Sequence, residues 1–207
     1  MTEMLVSAFV TLFVIIDPVG LAPLFIALTR GMTVEERMRV GRRALLVAFV
    51  ILAAFGLFGE RLLTAIGISI PAFRISGGLL LFLTALDMLF ERRTDRRERK
   101  ADEAVPDPSI FPLAMPLIAG PGALATMVLL STRNSGDVAA LVEIHLVMVA
   151  VLAITYGLFR ISPLVERMLG HIGITVLTRL FGILLAALSV QFVLDGLRDY
   201  GLIGGAT

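Results

Sequence analysis

The chain has 207 residues, 57% of them apolar and 17% charged, with a formal net charge of +1. Soluble domains run at about 45–50% apolar and about 25% charged, so this composition excludes a single water-facing domain and makes the bilayer the solvent for most of the surface. There is no cysteine, which excludes disulfides and thiol chemistry.

A membrane-spanning helix needs about 20 largely apolar residues. Six such segments nearly fill the chain, at 4–28, 44–66, 71–90, 110–131, 141–159 and 177–197. The fold class this predicts is an all-α membrane protein of six transmembrane helices, a single multi-pass domain over 1–207. The start, Met1-Thr2-Glu3, leads straight into an apolar run without the basic region and cleavage site of a signal peptide, so the first span is expected to be retained.

Span one is interrupted near its centre by Asp17-Pro18-Val19-Gly20-Leu21-Ala22-Pro23. A polar gap at 29–43 with five arginines follows, then span two, then a short turn at 67–70. Span three opens on Gly67-Ile68-Ser69-Ile70-Pro71-Ala72-Phe73-Arg74-Ile75-Ser76-Gly77. The longest polar gap, 91–108, precedes span four, which holds Pro112, Pro116 and Ala119-Gly120-Pro121-Gly122. Gaps at 132–140 and 160–176 separate spans five and six. Span six opens on Gly173-Ile174-Thr175-Val176-Leu177-Thr178-Arg179-Leu180-Phe181-Gly182.

Basic residues set the orientation of short loops. Arg30, Arg37, Arg39, Arg42, Arg43, Arg92, Arg93, Arg96, Arg97, Arg99, Lys100, Arg160 and Arg167 fall in odd-numbered loops, against Arg61, Arg133 and Arg198 on the other side. The odd loops are therefore expected in the cytoplasm and both termini outside. The run at 92–100 is read as a topology signal in a solvated linker, against nucleic-acid or anionic-lipid binding, because Asp95 and Glu98 intersperse it and Asp102 and Glu103 follow it. The 17 arginines against one lysine fit the coding bias of a GC-rich bacterium, and the expected location is a bacterial cytoplasmic (inner) membrane.

The openings of spans three and six share Gly-Ile-[Ser/Thr]-[Ile/Val] and then Arg-x-x-Gly, and Leu83-Thr84 aligns with Leu188-Ser189. This predicts a duplication: repeat 1 over 1–90, a cytoplasmic linker over 91–108, and repeat 2 over 109–203. Three spans per half is odd, so the second half enters the membrane in the opposite sense. Such an inverted 3+3 repeat is the architecture of many secondary transporters; the alternative is a duplicated scaffold that transports nothing.

The breaks in spans one and four are the strongest chemical signal. Proline removes a backbone donor and pushes the preceding residue out of the helical region. Non-helical backbone near the midplane is tolerated only inside protein or beside a water-filled cavity. Pro is favoured as the first residue of a helix, with Asp or Gly as the cap before it. Asp17 would thus cap a half-helix beginning at Pro18, and Gly120 one beginning at Pro121. Two helix N-termini aimed at the protein centre suit an anionic group such as a carboxylate. The candidate substrate-binding residues are Asp17, Pro18, Val19, Gly20, Pro23, Ala119, Gly120, Pro121 and Gly122.

A carboxylate at mid-membrane is functional by default. Asp17 could contact a substrate ammonium, carry a coupling proton or help hold a cation; the structural alternative is a cap whose charge is spent on local amides. Arg74 and Arg179, at matching repeat positions, are candidate gate or counter-ion residues, with snorkelling to the interface as the alternative. Thr84 and Ser189 are candidates for a polar path, against hydrogen bonding to their own helix. Asp87, Gln191 and Asp195 lie near span ends, as do His145 and His171, which form no metal-binding or nucleophile–base pattern; a metal site, a cofactor and an enzymatic role are not expected. Ala44, Ala48, Gly182 and Ala186 fit close helix packing.

Asp17-Pro18-x-Gly20-x-x-Pro23-x-Phe25, Pro116-Leu117-x-Ala119-Gly120-Pro121-Gly122 and Arg179-x-x-Gly182-x-Leu184 resemble the MarC family of six-span bacterial membrane proteins, also called SnatA-type neutral amino acid transporters, within a lysine-exporter-like superfamily. The resemblance covers essentially the whole chain. It implies a secondary transporter of small neutral amino acids or similar small metabolites, with a zwitterionic substrate and no nucleic-acid partner. No P-loop is present, so direct ATP use is not expected; a coupling proton and a homo-oligomer are compatible with the sequence. The competing class is a non-transporting membrane scaffold or assembly protein.

Overall fold

A computed structural model describes residues 2–90, 108–134 and 136–202. The expected basic run at 92–100 and most of the expected linker lie outside the described residues. The described chain is helical throughout: α1 (Thr2–Ile16), α2 (Pro18–Leu28), α3 (Val34–Ala65), α4 (Ile70–Leu89), α5 (Ser109–Ile118), α6 (Pro121–Arg133), α7 (Val138–Arg160) and α8 (Ser162–Asp199).

Five stretches are long and apolar enough to cross a bilayer: Glu3–Leu28, Val34–Ala65, Ile70–Leu89, Val138–Arg160 and Ile172–Asp199. The first is α1 and α2 in sequence. The region expected as span four is built from α5 and α6, neither of which alone is long enough. α5 is wound as a π-helix. Pro112 cannot donate to the carbonyl of Pro108, and the amide of Leu113 donates to it instead, at 3.3 Å. That shift by one residue is a π-type bond.

Two polar gaps are more helical than the sequence reading placed them. α3 starts ten residues before the apolar run at 44, because Thr33 and Glu36 form a reciprocal capping box. The Thr33 hydroxyl accepts from the Glu36 amide at 3.2 Å, and the Glu36 carboxylate accepts from the Thr33 amide at 2.8 Å. The gap at 160–176 is also helical, divided at Gly170, whose φ of 62° and ψ of 175° separate a short segment at 162–169 from the long span.

The main helix contacts join the two halves of the chain: α4 with α8, α3 with α5, α6 and α7, α1 and α2 with α7 and α8, α4 with α6, and α1 with α6. Contacts within a half are slight. Much of the pattern survives when each helix is exchanged for its counterpart in the other half: α3 with α6 becomes α7 with α2, α3 with α5 becomes α7 with α1, and α2 with α8 becomes α6 with α4, whereas the contacts of α1 with α6 and α8 have no counterpart among the main contacts of α5. Small residues set the closest approaches. Gly196 faces Pro71 and Ile75, Gly78 faces Ser189 and Val193, and Gly182 faces Ala85 and Met88. Numbers rise along α4 as they fall along α8, so the third spans of the halves pack antiparallel. Gly41 faces Phe159, and Gly56 faces His145, so α3 and α7 are antiparallel as well.

These contacts define two ends. One holds the start of α4, the end of α6 and the end of α8, tied by Arg74 to Asp199 and by Arg133 to Asp195 at 2.6 Å. The other holds the ends of α2 and α7, where Phe25 and Phe159 stack with centroids 4.2 Å apart, beside the start of α3.

Candidate functional site

Asp17 is the joint of span one. Its φ and ψ of 52° and 63° are left-handed, and it is the one non-glycine residue with positive φ among those described. Asp and Asn tolerate this region better than other non-glycine residues, because a short polar side chain can hydrogen-bond locally. The Asp17 amide closes α1 by donating to Phe13 at 2.9 Å, and its carbonyl opens α2 by accepting from Leu21 at 3.0 Å. Its Oδ1 accepts from the Gly20 amide at 3.0 Å. The side chain is therefore the expected cap of a half-helix whose first residue is Pro18. Asp17 is also completely buried.

Gly20 is what lets the carboxylate sit there. A Cβ on Gly20 would lie 2.1 Å from Asp17 Oδ2 and 2.8 Å from its Cγ. Pro18 and Val19 are buried, while Gly20 and Pro23 are half-buried.

The break in span four is glycine-based. Ala119 ends α5 by donating to Ala114 at 2.9 Å, Gly120 is extended at φ −75° and ψ 169°, and Pro121 begins α6. The Gly120 carbonyl accepts from Leu124 at 3.0 Å, and no side chain caps this helix start. Ala119 and Gly122 are buried, Gly120 is half-buried and Pro121 is exposed.

The two breaks are neighbours. A Cβ on Gly122 would lie 3.5 Å from Ile15 Cγ2 and 2.8 Å from Leu81 Cδ2. Ile15 is two residues before Asp17, and Gly122 is two after Gly120. A bare helix start with unoccupied amide donors thus stands beside a helix start already occupied by a carboxylate. The first attracts negative charge; the carboxylate beside it attracts positive charge.

The remaining candidates are not brought to this place. Arg74 is 8% exposed, belongs to the ion pair with Asp199, and has a buried Nε with no hydrogen-bond partner. Arg179 is exposed on α8. The Thr84 hydroxyl donates to the Leu80 carbonyl at 2.9 Å and Ser189 to Ala186 at 2.6 Å, so both bond their own helix. Gln191 donates to Asp195 at 2.7 Å, extending the Arg133 pair.

His145 differs from its interfacial expectation. Its Nδ1 lies 2.7 Å from the Leu141 carbonyl, which can only accept, so Nδ1 carries the proton. Its Nε2 is buried without a hydrogen-bond partner and occupies the space a Gly56 side chain would need, 2.8 Å from that Cβ position. Gly56 on the opposing helix is the one sequence feature that marks this inward ring, and reading along α7 alone does not reveal it. Thr126, completely buried on α6 with an unpartnered hydroxyl, gave no such signal. Among the described residues no group of three His, Cys, Asp or Glu side chains could hold a metal ion.

Comparison with known proteins covers nearly the whole chain. Residues 2–200 match the MarC family integral membrane protein. A UPF0056 membrane protein of Archaeoglobus fulgidus is 38% identical over 200 residues, covering 93% of this chain and 92% of the relative. The UPF0056 membrane protein YvbG of Bacillus subtilis is 34% identical over 203 residues, covering 96% of each. The UPF0056 membrane protein YhcE of Escherichia coli is 34% identical over 194 residues, covering 92% of this chain and 90% of the relative. No solved structure matches.

Proposed function

We propose that this chain, which belongs to the MarC family of integral membrane proteins, is a secondary transporter that moves small neutral amino acids or similar zwitterionic metabolites by alternating access at its two helix breaks. The observation that carries the reading is the completely buried Asp17 carboxylate, held at a left-handed joint next to the uncapped start of α6. The uncapped amides would take the substrate carboxylate, and Asp17 its ammonium. Asp17 would also be the proton carrier where flux is coupled to a pH gradient. A carboxylate so placed is expensive as mere architecture, since at the bilayer centre it costs about 2.5–3.5 kcal/mol on insertion scales.

Alternating access needs two bodies that rock about a fixed site. The contacts shared under exchange of the halves, among them α3 with α6 and α7 with α2, and the antiparallel α4–α8 pair support an inverted 3+3 repeat of six spans. In the proposed orientation the end bearing Arg30, Arg37, Arg39, Arg42, Arg43 and Arg160 faces the cytoplasm, and both termini face outward across a bacterial inner membrane.

The test is uptake of radiolabelled amino acids into proteoliposomes, with and without a pH gradient. Flux of a small neutral amino acid is expected, accelerated by the gradient. Asp17→Asn is expected to abolish the acceleration while keeping the fold, because Asn accepts both the left-handed conformation and the cap position. Absence of flux for every amino acid would defeat the transport reading in favour of a scaffold. Unchanged coupling in Asp17→Asn would remove Asp17 from it.

A further inference from the structure

A cleft of about 390 Å³ runs between α3 and α7, and none of the residues at the helix breaks lines it. Its walls are Leu45, Phe49, Val149 and Leu152, and its two polar residues are Arg42 and Tyr156. The antiparallel pairing of α3 and α7 puts the apolar walls towards the interior of both spans. The polar residues lie at the end where Gly41 meets Phe159. Tyr156 is one turn before Arg160, which ends α7. The cleft therefore starts at the membrane boundary and descends along the hydrocarbon.

Among the described residues Arg42 forms no ion pair and Tyr156 no hydrogen bond, whereas nearby Arg39 lies 3.7 Å from Glu35. Arg42 is exposed and Phe49 is 39% exposed. Around them stand Arg39, Arg43 and Arg160 at the same end of the bundle. An occupant must supply hydrocarbon for the walls and negative charge, able to accept hydrogen bonds, for the rim. A guanidinium presents a fork of donors suited to phosphate, and a phenol adds another.

We propose that this cleft is a binding site for an anionic phospholipid, with one acyl chain along Leu45, Phe49, Val149 and Leu152 and the phosphate held by Arg42 and Tyr156. Basic pockets between spans on the cytoplasmic side recognise acidic headgroups by this chemistry. Zwitterionic phosphatidylcholine offers the same chains but no net charge, so the site discriminates through Arg42 and does so less at high ionic strength.

The chain contains no tryptophan, so a single introduced one reports its own surroundings. Phe49→Trp, with Leu46→Trp as a second reporter on the same wall, is reconstituted into phosphatidylcholine vesicles containing brominated phosphatidylglycerol or brominated phosphatidylcholine. Quenching is expected at about fivefold lower mole fraction of the anionic lipid, the effect of roughly one added basic contact. Arg42→Gln is expected to erase that preference, and Tyr156→Phe to reduce it. Val190→Trp, on the exposed surface of α8 and about three turns from Arg179, is expected to show no preference. Equal quenching by both lipids at positions 46 and 49 would overturn the proposal, as would a preference that survives Arg42→Gln. Shielding of both reporters from both lipids, with cross-linking into dimers, would assign the cleft to a second copy of the chain instead.

Discussion

Gly20→Ala is the sharpest test of the Asp17 joint. Within a helix, alanine is ordinarily better than glycine by about 0.5–1 kcal/mol. Here the new methyl would lie 2.1 Å from Asp17 Oδ2 and 3.0 Å from Oδ1, so the carboxylate must leave. It then gives up the bond from the Gly20 amide, a cap contact worth about 0.5–2 kcal/mol. For a carboxylate that stays buried, the loss of that same bond reaches about 1.5–3 kcal/mol. A net destabilisation of about 2 kcal/mol follows, which for a chain of this size lowers Tm by roughly 4–8 °C. The same substitution in an Asp17→Gly background meets no carboxylate, and glycine accepts the left-handed backbone at position 17. There Gly20→Ala should be neutral or stabilising by about 0.5 kcal/mol. The change of sign is read as a double-mutant cycle by unfolding in detergent followed by circular dichroism. Equal effects in the two backgrounds would refute the proposed competition for one space.

Other substitutions separate close packing from open space. Gly78→Ala places a Cβ 2.8 Å from the Ser189 carbonyl oxygen, a backbone atom that cannot swing aside, so α4 and α8 must part at a cost of about 1–3 kcal/mol; Gly157→Ala meets nothing within 4 Å and should leave Tm unchanged or higher. Asp199→Asn leaves the Arg74 guanidinium buried beside a neutral amide, and because the Asp199 side chain is 43% exposed the expected loss is about 1–2 kcal/mol rather than the larger figure for a fully buried pair. Met88→Cys with Gly182→Cys places two thiols where the Cβ separation is 3.1 Å, near the disulfide range of about 3.5–4.5 Å; mild oxidation should consume both thiols, and persistence of both would refute the antiparallel packing of the third spans.

Much of this architecture was legible because lipid simplifies the code. A run of apolar residues of spanning length has few alternatives, and prolines inside such runs have a direct backbone consequence. Asp17 before Pro18, and Gly120 before Pro121, located both helix restarts. The missed features are those in which local hydrogen bonding competes with hydropathy. Thr33-x-x-Glu36 begins α3 ten residues ahead of the apolar run, a capping box visible in the sequence but outvoted by the arginines that follow it. The π-winding of α5 follows from Pro112 and Pro116 four residues apart, which deny α-helical donors to the carbonyls of residues 108 and 112. The inward ring of His145 is set by Gly56 on a helix from the other half of the chain, a relation that pattern reading along one helix does not carry. Arg74 and Arg179 match in sequence, yet one is buried against Asp199 and the other is exposed. Their sequence positions match, while their surroundings differ.

That divergence extends to the breaks themselves. The two halves repeat the same backbone event, an interrupted span that restarts at a proline. They do not repeat its chemistry. In the first half the cap is a carboxylate that turns a positive helix start into a site with net negative character. In the second it is glycine, which leaves the helix start positive. An exchange-symmetric frame with like residues at both breaks would suit a ligand with two equivalent ends. Opposite local charge at two adjacent breaks suits a ligand carrying both signs a few ångströms apart, which is the charge pattern of an amino acid. The asymmetry also determines where coupling can reside. Only the first break contains a titratable group, so on the proposed transport reading a coupled proton has one place at these breaks to bind, and Asp17→Asn tests the coupling and the ammonium contact together.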